Sequence, residues 1–224
     1  MSFDLDYILI YLFLLLVFYL TGKQVSKGKN YWANAFLCII VYTIILGSRY
    51  GRGNDYFSYI ADYLQTNPYE NSGYLYIKSV MKAFYIDKFH IFYVYAFITI
   101  VGGMFFLERY RKYATFMFPA FLLATFILAE YQVRQSLSYS FVFLYLIQLF
   151  QIRSNKIKDI FSRKNYFHLL WGIIFAGITV SIHTANALNI VILTGLYLFE
   201  RFSKNCEKPR VKGLIFFAIY ITMI

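Results

Sequence analysis

Charge is scarce in this chain: Asp, Glu, Lys and Arg make up 15% of its 224 residues, against about 25% in an ordinary soluble domain. In their place stand 60% hydrophobic and 22% aromatic residues, which excludes a soluble globular domain and reads as a multispanning membrane protein. Cysteine is nearly absent. Cys38 lies inside an apolar run and Cys206 in a basic loop, so both read as free thiols and no disulfide framework is expected. His, Cys and Asp nowhere fall at metal-ligand spacing, no Gly-rich P-loop is present, and "GRGNDY" lacks the strand and helix of a dinucleotide fingerprint. Neither a metal nor a cofactor is therefore expected.

What the chain does have is long apolar runs, at 5–21, 32–48, 89–107, 115–129, 135–150, 168–182, 184–199 and 213–224. The expected fold class is all-α, a polytopic transmembrane helix bundle forming one integral membrane domain over 1–224. The first run follows Asp4 and Asp6 rather than lysines, and no small-residue cleavage site comes after it, so it is retained as a helix. The last run stops after twelve residues, short of the roughly 20 that cross a bilayer, which reads as a fragment of a longer protein. With the amino terminus outside, the inner loops 22–31, 108–114, 151–167 and 200–212 hold sixteen Lys and Arg and four acids. The outer segments hold six basic residues and seven acids. The net charge of +11 is thus accounted for by the positive-inside rule, and no nucleic acid is expected as a partner.

This orientation makes 49–88 one extracytoplasmic loop of forty residues, long enough to carry a function. Its start, "RYGRGNDYFSYIADY", holds Arg49, Arg52 and Asp55, with Gly51 and Gly53 allowing a sharp turn. Asn54 or Asp55 reads as the N-cap of a short surface helix. Tyr56, Tyr59, Tyr63, Tyr69, Tyr74, Tyr76 and Tyr85 suit an interfacial surface or a sugar-stacking platform.

Two further polar intrusions fall on the same side. "LAEYQVRQSLS" sets Glu130 and Arg134 between apolar stretches of about fifteen residues, each covering roughly 22 Å of a 30 Å core, so the hairpin tip is expected to be recessed into the outer leaflet. "SIHTANALN" repeats the arrangement, with His183, Asn186 and Asn189 spaced along one side of a helix. Ionisable groups at that depth usually face a cavity. Each also has a plainer reading: Arg49 and Arg52 as headgroup anchors, Asp55 as a cap, Glu130 and Arg134 as a helical pair, His183 as a core histidine.

In order, "RYGRGNDYFSYIADY", "ENSGYLYIKSVMK", "YQVRQSLSYSFVFLYL" and "HTANAL" resemble the successive motifs of the EpsG family of exopolysaccharide-assembly membrane proteins, relatives of Wzy-type polysaccharide polymerases. The chain departs at Asn54, where the family often has Thr, and at Asn71, where it often has Pro. The resemblance implies metal-independent polymerisation of polyprenyl-diphosphate-linked oligosaccharide repeats at the outer face of the bacterial cytoplasmic membrane. Implied partners are the lipid-linked oligosaccharide, the bilayer and other polysaccharide-assembly proteins. In such a reaction Arg49, Arg52 and Arg134 are the candidates to clamp the diphosphate, and Asp55, Glu130 and His183 compete as general base. Gly51, Gly53, Tyr56, Glu70, Gln135 and Asn186 are expected to contact sugar or shape the loop. A transporter or flippase for lipid-linked sugars and an integral sugar acyltransferase are the alternatives.

Overall fold

The computed structural model describes residues 5–53, 55–65, 70–152 and 160–202, and the described backbone is helices joined by turns. The apolar runs form α1 (Leu5–Ser26), α2 (Tyr31–Gly47), α5 (Ile91–Glu108), α6 (Ala114–Tyr131), α7 (Val133–Gln151), α8 (Tyr166–Ile182) and α9 (Asn186–Phe202). Between α2 and α5 lie two short helices, α3 (Tyr56–Leu64) and α4 (Ser72–Ala83). Tyr7–Ser26, Ile91–Glu108 and Arg111–Tyr131 are long and apolar enough to cross a membrane, and Tyr31–Gly47, Tyr166–Ile182 and Asn186–Phe199 are apolar but shorter. The protein is an all-α membrane protein. The expected run at 213–224, Asn54, Tyr69 and Cys206 lie outside the described residues.

Because these helices are apolar nearly all round, packing rather than an amphipathic stripe orders them. α1 lies against α2 and α6, α2 against α5, α5 against α7, and α7 against α8. Leu14, Phe18, Tyr42, Ile100, Met104 and Phe118 fill the main core. At one end of the bundle Ser26 Oγ accepts from the Thr115 N–H at 3.0 Å. At the other end, α3 and α4 cover the helix termini.

α3 and α4 are amphipathic. Tyr56, Tyr59, Ile60 and Tyr63 recur at helical spacing and are buried with Tyr74 and Met81 of α4 against Ile91, Phe92 and Tyr95 of α5, Val133 and Leu137 of α7, and Ile182 of α8. These four loop tyrosines are therefore packing residues, whereas Tyr76 and Tyr85 are exposed. α4 docks on the α8–α9 turn: the Asn71 side-chain amide donates to the Ile182 carbonyl at 3.0 Å, and Gly73 lies so close to Ser181 that a Cβ there would collide.

A buried polar ladder joins the last three helices. Ser138 Oγ donates to the Thr179 carbonyl at 2.9 Å, Asn186 Nδ2 donates to Ser138 Oγ at 2.8 Å, and Asn189 Nδ2 donates to Asn186 Oδ1 at 2.8 Å. Side-chain bonds of this kind hold helices together where hydrocarbon supplies no hydrophobic contrast.

Candidate functional site

After α2 the chain reverses through Ser48 to Gly53, with Gly51 at φ 69° and Gly53 at φ 86°, a left-handed backbone that favours glycine. Position 53 has a second requirement, since a Cβ there would collide with the Glu130 carbonyl oxygen. That close approach brings Arg49 and Arg52 to the carboxyl end of α6. Arg49 is 2% exposed; its Nη1 donates to the carbonyls of Ala129 and Glu130 at 2.5 and 2.6 Å, and its guanidinium lies 4.5 Å over the Phe92 ring. Arg52 Nη2 donates to the Ile45 carbonyl in the last turn of α2 at 2.7 Å. Both arginines thus meet the orphan carbonyls and negative dipole end of a helix.

The Glu130 carboxylate lies 4.0 Å from Arg49 Nη1 and 3.7 Å from Arg52 Nη2. Two cations against one carboxylate leave this group with one surplus positive charge. Among the described residues Arg49 Nε and Glu130 Oε1 are buried without a hydrogen bond. Beside them is a cavity of about 10 Å³, lined in part by Arg49, Phe92, Thr99 and Ser136, room for about one water.

Glu130 and Arg134 do not form the helical pair that their spacing allows. Gln132, at φ −128° and ψ 64°, breaks the helix between them, and Arg134 turns instead to the loop helices. It pairs with Asp62, and with Glu70 at 2.9 Å. Glu70 also pairs with Lys78, whose Nζ donates to the Asp62 carbonyl at 2.9 Å. The Arg134 guanidinium lies over the rings of Tyr74 at 4.5 Å and Tyr59 at 5.8 Å. The side chains of Glu70 and Lys78 are 3% exposed, those of Arg134 and Asp62 27% and 33%. This second group is balanced, two cations against two carboxylates.

Tyr59 stands between the two groups. Its hydroxyl accepts from the Arg134 backbone N–H at 3.5 Å. Burial raises its phenol, Asp55 raises it further, and Arg134 and Arg49 oppose that, so it stays a neutral hydroxyl. Asp55 holds the N-cap position of α3 but its side chain makes no capping bond, and it is exposed.

His183 is not on the helix that carries Asn186 and Asn189. It caps α8 in extended backbone, φ −148° and ψ 102°, and only Asn186 and Asn189 share a face of α9. In that turn it is half-buried, and burial first, then the charge of Arg134, lowers its pKa. The imidazole is neutral at neutral pH. Asn186 is committed to Ser138, Gln135 Nε2 donates to the Tyr139 hydroxyl at 3.4 Å, and Tyr56 stacks on Phe92 with ring centres 4.7 Å apart. Asn186 and Tyr56 thus hold elements together, and the Gln135 bond lies within α7.

Of the residues singled out in the sequence, Arg49, Arg52, Gly53 and Glu130 meet at one point, Arg134 and Glu70 meet at a second, and His183 lies close enough to Arg134 to feel its charge. Asp62 and Lys78 were not singled out, and the signal for them was slight: acidic and basic residues among tyrosines in the loop 49–88. Among the described residues no group of three His, Cys, Asp or Glu side chains gathers to hold a metal.

Fold and site together define a class: an α-helical membrane protein whose buried charges, Arg49, Lys78 and Glu130 among the described residues, sit at one end of the bundle under a helical loop. Within that class the family can be stated. The EpsG family model matches residues 32–224, every residue of both charged groups included, and the chain belongs to that family. It is a polysaccharide-assembly membrane protein. No curated protein and no solved structure matches it.

Proposed function

We propose that the protein polymerises lipid-linked oligosaccharide repeats, moving a glycan from a polyprenyl diphosphate to a hydroxyl of the next repeat at the outer face of the bacterial cytoplasmic membrane. In this reading the chain is multi-pass with its amino terminus outside, the side on which the sparse basic segments lie. The observation that carries the proposal is the pair of partly exposed arginines, Arg52 and Arg134, each 27% exposed on the side chain, beside a group with surplus positive charge. Polymerisation expels an anionic diphosphate, and planar guanidinium groups stabilise it as charge develops on the leaving oxygen.

Arg49 takes a supporting part, since the carbonyls at the end of α6 already occupy Nη1. The acceptor hydroxyl loses a proton as its oxygen bonds the anomeric carbon and the bond to diphosphate breaks. Asp55, exposed and uncommitted to a cap, receives that proton, with neutral His183 as rival and Glu130, held between two arginines, third. Gly51, Gly53, Tyr56, Gln135 and Asn186 shape the loop and its supports. The positions of the charges at helix ends favour this reading over a transporter, which places such groups near the bilayer midplane.

The test supplies lipid-linked repeats to membranes carrying the protein or its Arg52→Lys and Arg134→Lys variants. The expected result is polymer from the former and accumulated single repeats from the latter at unchanged protein levels. Repeats trapped on the inner face in the variants would mark a flippase instead.

A further inference from the structure

Arg134 meets two carboxylates that are held very differently. Glu70 is fixed from both sides, by Arg134 at 2.9 Å and by Lys78. Lys78 is itself anchored to the Asp62 carbonyl at 2.9 Å and lies 5.2 Å over the Tyr74 ring. Moving Glu70 would leave a buried ammonium unpaired, which is costly. The Asp62 carboxylate pairs with Arg134 alone among the described residues, and its side chain is 33% exposed. An anion arriving from outside therefore exchanges with Asp62, and Glu70 stays. Arg134 also has a donor to spare: its Nε is buried without a hydrogen bond among the described residues. A phosphate that displaces Asp62 takes over its hydrogen on Nη2, the nitrogen that Asp62 and Glu70 share, and gains Nε as a second donor, where Asp62 makes one bond to Nη2.

We propose that Asp62 is the internal anion of the diphosphate site, giving way when the lipid diphosphate binds Arg134 and returning to Arg134 to release the spent carrier; this rests on the polymerase reading above. A chain-tethered carboxylate competes with product for the same guanidinium at no cost in translational freedom. Tight product binding would otherwise limit turnover. Asp62 thus sets the affinity of the site downward, and Glu70, which stays on Arg134, sets its geometry.

The test is calorimetric binding of farnesyl diphosphate to the detergent-purified protein and to the Asp62→Asn, Asp62→Ala and Glu70→Gln variants, with product inhibition measured alongside. The Asp62 variants should bind about fivefold more tightly, the size of one partly exposed competing ion pair, with kcat and KM both reduced and stronger inhibition by the added diphosphate. Glu70→Gln removes the same charge and should bind more weakly. Unchanged or weaker binding by the Asp62 variants, beside a wild type that binds, would overturn the internal-anion role and leave the polymerase reading standing. Failure of both Asp62 variants to fold would overturn it too, because an exchangeable anion is dispensable to the fold. No binding by the wild type would remove the polymerase reading, and this proposal with it.

Discussion

Arg49 holds the backbone of Glu130 and not its carboxylate: Nη1 donates to the Glu130 carbonyl at 2.6 Å while the nearest carboxylate oxygen is 4.0 Å away. The arginine thereby ties the end of α2 to the end of α6. Arg49→Gln should destabilise the protein by about 3 kcal/mol, because it leaves Glu130 buried with one cation fewer and two helix carbonyls without a donor. Thermal unfolding in detergent checks this, and an unchanged melting temperature would show that Arg49 braces nothing.

Gly53 and Gly51 separate two causes of glycine preference. Both have positive φ, but an added Cβ at 51 meets nothing within 4 Å, whereas at 53 it meets the Glu130 carbonyl oxygen. Gly51→Ala should cost about 1–2 kcal/mol from left-handed strain alone. Gly53→Ala should cost more and also prise the turn away from α6. Equal losses in melting temperature would contradict the close approach.

Seven of the eight expected runs fall among the described residues and each is a helix there, because a long apolar run announces itself without knowledge of its neighbours. The N-cap reading at Asp55 marked the start of α3. α4 is harder to read: Lys78 and Lys82 interrupt its apolar positions, and its apolar side has a purpose only once α5 and α8 lie beneath it. The site was half legible for the same reason. Gly51, Gly53, Arg49 and Arg52 sit in one short stretch, but the partners of Arg134 come from α3 and from Glu70 just before α4, which local sequence does not join to it. Glu130 and Arg134 show the reverse failure, since their four-residue spacing suggested a contact that a helix break at Gln132 removes.

Orientation can be checked directly. In a background with Cys38 and Cys206 replaced by Ser, a cysteine at Tyr85, 95% exposed, should react with a membrane-impermeant thiol reagent in intact cells. One at Lys112, exposed at the opposite end, should react only after the membrane is opened. The reverse pattern would put both charged groups in the cytoplasm.

The turn histidine makes stability depend on pH. Burial and the charge of Arg134 lower the His183 pKa in the folded protein, so on acidification the unfolded chain takes up the proton first, near its ordinary value of about 6.5. The contribution is complete above about pH 6.5 and is lost as pH falls through the lowered folded value. The wild type should therefore lose melting temperature more steeply than His183→Gln between about pH 7 and about pH 5. Parallel slopes would mean that His183 is not held neutral.

Asp55 offers the cleanest separation of structure from chemistry. Its side chain caps nothing and it is exposed, so Asp55→Asn should change stability by no more than about 0.5 kcal/mol. The amide has no basic oxygen, and loss of a general base lowers rates about 10²- to 10⁴-fold. Arg52→Lys makes the complementary test on the leaving group. A point charge cannot reproduce the guanidinium fork, and one lost donor at the developing anion costs about 10²- to 10³-fold in rate. Single repeats should accumulate in both variants at normal protein levels. The two defects differ in kind: added farnesyl diphosphate should still inhibit Asp55→Asn as strongly as wild type, and should inhibit Arg52→Lys weakly. Full-length polymer from Asp55→Asn would transfer the proton to His183, whose neutral imidazole beside Arg134 is then the remaining uncommitted base.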